Sequence, residues 1–224
     1  MPENGDEDSA SAPLPRIKVR IESLSDLVFG LALSFGSLLL VGRMPQSGSD
    51  LVVNVLLFGF GFLIVVMTWL GYSRTVAVLP VEVPFALAAN LLLLFCVAIE
   101  PYLFYVLESV RTLGAADWSS VVYALDVGGM FFMLGALAQL VVQENRSGVA
   151  GSMKLHPAVL ARFRLSVKLD VMIGAFFIAS ALPVFWVDTG FGYLRFYLWF
   201  SSFLILFLGR VSRMSKRSPR PPNQ

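Results

Sequence analysis

Along this chain the apolar residues fall into six long runs separated by short polar joints, near Leu24–Gly42, Leu51–Tyr72, Val83–Leu107, Ser119–Val142, Ser166–Val187 and Phe191–Gly209. Each is close to the roughly 20 residues that a helix needs to cross hydrocarbon. No run alternates as a strand would, and a helix satisfies its own backbone in lipid. The pattern predicts an all-α membrane protein, a six-transmembrane-helix bundle. Connections are short except Gln143–Leu165, which holds Gly148, Gly151 and Pro157.

The flanks differ in kind. Residues 1–15 are polar, acidic and Pro-containing and read as a disordered tail. Glu3, Asp6, Glu7 and Asp8 stand where a cleaved signal would carry basic residues, so the first run is expected to remain in the protein. Residues 212–224, rich in Pro, Arg and Ser, read as a second, basic disordered tail, leaving 16–211 as one membrane domain.

Composition agrees. Of 224 residues 57% are hydrophobic and 14% charged, and mean hydropathy is +0.75, whereas about a quarter of a soluble domain is charged. Basic residues orient the bundle. With both termini cytoplasmic, 14 of the 17 Lys and Arg lie inside, and Arg43, Arg111 and Arg195 lie outside. The net charge of +2 thus follows topology and points to no nucleic acid. Trp69 and Tyr72 fall at the inner end of the second run, and Trp118, Trp186 and Tyr193 at outer ends, where amphipathic rings favour the interface.

The densest polar cluster opens the first run. Arg20, Glu22, Ser23, Ser25 and Asp26 occupy two turns of a helix that then enters lipid, and ionisable groups at such depth mark a pathway or a polar joint between helices. On the helical period, Leu24, Leu27, Leu31, Phe35 and Leu38 share one face, with Ser34 at its edge and Glu22 and Asp26 opposite. From spacing alone two readings stand: a capping sequence at the headgroups, or a polar anchor beneath a functional apolar stripe.

Arg20, Leu24-Ser25-Asp26 and the following Leu27 to Ser34 resemble the R-x-x-x-F-S-D signature of the transmembrane protein 175 family of potassium channels. Trp69, Asn90 to Phe95 and Pro101 add similarity in the second and third runs, and the remainder matches only by span count. The chain departs from the pattern at Leu24, where phenylalanine is usual, at Leu27, where glycine is common, and at Glu100. The resemblance implies a homotetramer in a prokaryotic plasma membrane, conducting potassium passively through a pore lined by the first helices. By the same resemblance Leu31, Phe35 and Leu38 form the constriction, Ser34 lies between them as a polar ring, and Arg20, Ser25 and Asp26 join helices at the cytoplasmic end. The chain has no T-V-G-Y-G-type carbonyl loop, and an apolar ring gates by dewetting.

Two further acids fall within runs. Glu100 and Asp126 lie toward the outer third, either as outer-vestibule acids that attract cations or share a proton, or as hydrogen-bond partners of neighbouring helices. With Asp170 they also support an alternative, a secondary and proton-coupled transporter. Gly59, Gly61, Gly128, Gly129 and Gly174 invite close helix approach, and Pro101 and Pro183 each free a carbonyl within a run. Asp170, near Lys168, suggests an ion pair. Cys96 and His156 are single, so neither a disulfide nor a histidine metal cluster is expected. No phosphate loop or nucleophile elbow is present. An enzyme is not expected, nor any cofactor or metal; potassium ions and membrane lipid are the expected partners.

Overall fold

A computed structural model describes residues 16–42, 44–79, 83–109, 113–147, 155–187 and 193–215. All regular structure among them is helical. The helices are α1 (Arg16–Val41), α2 (Gly48–Val76), α3 (Pro84–Ser109), α4 (Leu113–Ser147), α5 (Pro157–Ser180) and α6 (Leu194–Ser215), with a 3-10 turn at Pro183–Phe185. Among the described residues four stretches are long and apolar enough to cross a membrane: Lys18–Val41, Gly48–Val76, Pro84–Ser109 and Asp117–Arg146. The acidic tail 1–15 lies outside the described residues, as do positions 216–224 of the basic tail, while 212–215 complete α6.

The helix boundaries have local causes. Ser47 caps α2 by accepting from the Asp50 amide at 3.1 Å. His156 does the same for α5, its Nδ1 accepting from Ala158 at 3.3 Å, with Pro157 at the first helical position where its missing N–H costs nothing. That cap starts the fifth helix well before Ser166, where the apolar run begins, because the first turns of α5 carry Arg162, Arg164 and Lys168. Its end also differs from the expected Val187. The helix stops at Ser180, and Pro183 opens the 3-10 turn rather than kinking a continuous span. The expected loop Gln143–Leu165 shrinks correspondingly, since α4 continues to Ser147. Pro101 stays inside α3 and is buried.

The core centres on α4, which packs against α3, α5 and α2. Tyr123, Val127, Met130, Leu134 and Leu137 are buried along it. An added Cβ at Gly174 would meet the Gly128 carbonyl at 3.0 Å and Phe132 at 3.1 Å, so backbone touches backbone between α4 and α5. At Gly71 it is instead the Leu134 side chain that fills the space. Gly59 faces open space. Phe177 stacks on Trp199 with centroids 5.5 Å apart, tying α6 to α5, and Trp199 donates its indole N–H to Ser180 at 2.7 Å. Cys96 is a buried free thiol of this core.

Candidate functional site

α1 has two faces with different fates. Ser25, Phe29 and Ala32 are buried, and α1 packs on α2 and α3. The opposite face points away from the rest of the chain. Leu31 is 47% exposed, Phe35 57% and Leu38 61%, and Leu24 and Leu27 are exposed beside them. Ser34 shares this face, but its hydroxyl turns back to donate to the Gly30 carbonyl at 2.8 Å. Ser37 does likewise to Ser34 at 2.7 Å. Such back-bonding satisfies a hydroxyl on its own helix.

The start of α1 is tied to the end of α2 by three hydrogen bonds. Ser25 Oγ lies 2.5 Å from Tyr72 Oη and gives its single proton to the Ile21 carbonyl at 2.7 Å. The tyrosine is therefore the donor to the serine. Trp69 donates its indole N–H to Asp26 Oδ1 at 3.1 Å. Lys18 Nζ donates to the Ala77 carbonyl at 3.1 Å, at the end of α2 where a cation meets the negative end of the helix dipole. Tilted ring contact between Phe29 and Tyr72, 5.6 Å apart, seals the joint. Of the three sequence-derived joint residues, Ser25 and Asp26 meet here, within one chain. Arg20 is exposed and takes no part in the joint.

Glu100 and Asp126 lie inside the helix bundle, on α3 and α4, exposed to 2% and 8%. Tyr123 donates its hydroxyl to Glu100 Oε1 at 3.4 Å, and Asp126 is one turn further along α4 on the same side. Asp126 Oδ2 has no hydrogen-bond partner among the described residues. Gly61 of α2 leaves the room, since a Cβ there would sit 3.4 Å from Glu100 Oε1. A cavity of about 40 Å³ between α1, α2 and α3 reaches Glu100. At the ~15 Å³ that each needs, it has room for two or three waters. Asp170 is separate from this pair and accepts from Ser166 at 3.0 Å.

A second cavity, of about 1000 Å³, opens between the ends of α2, α3 and α6. It shares Asn54, Phe104, Tyr105 and Glu108 with the small one. On its wall stands Arg195, 2% exposed, whose Nη2 pairs with Asp117 Oδ1 at 3.1 Å. Tyr193 lies 4.4 Å from the guanidinium, with Phe196 at 5.7 Å and Trp186 at 5.9 Å. Its Nε and Nη1 have no partner among the described residues, which is costly for a buried charged donor.

Sequence reading placed the α1 stripe but missed the Asp117–Arg195 pair and the Tyr123–Glu100 contact. The signal for the first was present: Arg195 is a lone cation inside an aromatic run, and such residues seldom lack a role. Among the described residues no group of three His, Cys, Asp or Glu side chains is arranged to hold a metal ion. Comparison with protein-family models, curated proteins and solved structures gave no match.

Proposed function

We propose that the chain is one subunit of a potassium-permeable cation channel, a homotetramer in a prokaryotic plasma membrane whose α1 helices surround the pore. In this reading α5 and α6 also span, giving six crossings with both termini cytoplasmic, as the excess of basic residues on that side requires. The observation that carries it is the orientation of α1. Its bulky apolar stripe is turned out of the protomer, while its other face is fixed to α2 by Ser25, Asp26, Tyr72 and Trp69.

A helix held rigidly on one side and bare on the other presents Leu31, Phe35 and Leu38 to a shared axis. Rings of such side chains expel water from a narrow conduit, which closes it to ions unless they part. Ser34 supplies the polar interruption between the rings. Conduction is passive and needs no cofactor. The resemblance of Arg20, Ser25 and Asp26 to the transmembrane protein 175 signature points the same way.

The test is purified protein in potassium-loaded liposomes, with flux driven by an ionophore and read for potassium, sodium and protons in parallel. Potassium efflux without a coupled gradient is the expected result. No flux of any of the three sinks the channel reading.

One observation favours a second reading, a proton-coupled transporter. Glu100 and Asp126 are buried within one chain, and a small cavity reaches Glu100, as a coupling site would require. Flux that demands a proton gradient and is lost in Glu100→Gln separates it from the channel.

A further inference from the structure

Glu100, Phe104 and Glu108 recur at four-residue intervals on α3, which lines them up along one side of the helix with Glu100 about 12 Å deeper than Glu108. Both cavities lie along this row. The small one reaches Glu100 and ends at Phe104, Tyr105 and Glu108. The large one takes in those same three side chains and continues to Asp50, Tyr193 and Tyr197, where α2 and α6 begin. Asn54 of α2 borders both. The neck where they abut therefore offers an amide, a phenol and a carboxylate to water.

The other end is closed. One and two turns deeper on α3, Val97 and Leu93 are fully buried, and Ile64 and Val65 of α2 belong to the same core. The titratable groups around Glu100 come from two helices: Tyr123 and Asp126 from α4, and Cys96, beside Asp126, and Glu108 from α3. From α2 Glu100 meets Gly61, and α1 brings Ala32, Leu33 and Gly36 to the cavity. None of these four titrates. α6 brings the Trp199 ring to Tyr123, with centroids 5.2 Å apart.

A hard metal cation replaces its hydration shell with about six oxygens. Beside Glu100 the cavity wall is Phe58, Phe62, Phe104 and Leu33, which supply none. A proton needs one carboxyl oxygen and a file of hydrogen-bonded water, and carboxyls enclosed in membrane helices serve as such relays. We propose that Glu100 is a proton-binding site that exchanges with water through the Asn54 neck, from the end where α2 begins and α3 ends. This gives the coupling site of the proton-coupled reading its route. The test uses neither a gradient nor transport, so it fails or succeeds apart from that reading.

The experiment follows the C=O stretch of protonated carboxyls by infrared spectroscopy, with the full chain in detergent at acidic pH, after mixing into heavy water. Exchange hands the carboxyl proton to a cavity water and takes a deuteron back, and no other bond changes. The Glu100 band is the one missing from Glu100→Gln. In wild type it should shift as fast as the bands of exposed carboxyls. Asn54→Phe, which plugs the neck without touching Glu100, should slow the shift by about tenfold or more, because exchange then waits for local opening. Where that variant fails to fold, Asn54→Leu keeps the native size, removes only the polar step and should slow the shift by a smaller factor. No band lost in Glu100→Gln, or a wild-type band that lags far behind the exposed carboxyls, overturns the proposal. So does an Asn54 variant that exchanges as fast as wild type.

Discussion

Ser25 and Tyr72, 47 residues apart, share a buried hydrogen bond of 2.5 Å that locks the first helix to the second. Because Ser25 also donates to Ile21, the pair forms a chain in which each proton has one place to go. With the neighbouring Trp69–Asp26 and Lys18–Ala77 bonds the joint is held at three points. What lies beyond the joint on α1 is held at a fixed rotation, and that rotation decides which side chains face away from the bundle.

Tyr72→Phe removes one hydroxyl and leaves Ser25 bonded to Ile21. The expected loss is about 1 kcal/mol, typical of one buried hydrogen bond, read as a lower midpoint in detergent unfolding. Ser25→Ala, which strands the Tyr72 hydroxyl, should cost more. The double variant should fall short of the sum, since both changes remove the same bond. Strict additivity contradicts the shared bond.

Gly174→Ala places a methyl group 3.0 Å from the Gly128 carbonyl and 3.1 Å from Phe132. Overpacking of this kind costs about 1–3 kcal/mol. Gly59→Ala meets nothing within 4 Å and should be neutral or stabilising by up to ~1 kcal/mol, because alanine loses less backbone freedom in a helix. Thermal unfolding of the two purified variants side by side measures the contrast. Equal midpoints would show that α4 and α5 do not touch at these glycines.

Leu31→Ala and Phe35→Ala separate conduction from stability. Both side chains are about half exposed on the chain, so its unfolding should shift by no more than ~0.5 kcal/mol. Potassium leak from liposomes should nevertheless rise several-fold, because a shorter apolar ring admits water. Unchanged leak takes both residues out of the gate.

Asp117→Asn leaves the Arg195 guanidinium buried without its counter-charge. Breaking a buried ion pair from one side costs about 3–5 kcal/mol. With Asp117 26% exposed, about 2–3 kcal/mol is expected. Trp118→Ala, next in sequence and 69% exposed, should stay within ~0.5 kcal/mol. The comparison is made on unfolding midpoints in one detergent.

Much of this was legible in the chain, and unevenly. The apolar stripe of α1 was readable because a helical period needs no partner to define it. The end of α5 was not. Hydropathy carries the run on to Val187, whereas Pro183 ends the regular hydrogen bonding and only the backbone shows where. Ser25 and Asp26 could be named as joint residues, but their partners Tyr72 and Trp69 looked like ordinary interface aromatics.

By itself the sequence determined that the chain would be helical, and it marked six apolar runs; among the described residues four helices are long and apolar enough for a bilayer. Those properties follow from the length and composition of local runs, for which lipid leaves the backbone a single solution. The tertiary structure decided which faces were spent inside the bundle. It enclosed Glu100 and Asp126 between α3 and α4, paired Arg195 with an acid 78 residues away, and left the Leu31–Phe35–Leu38 face bare. Pairings of this kind depend on how helices rotate and approach one another. Small residues such as Gly128 and Gly174 set that approach through contacts between segments that no single segment records.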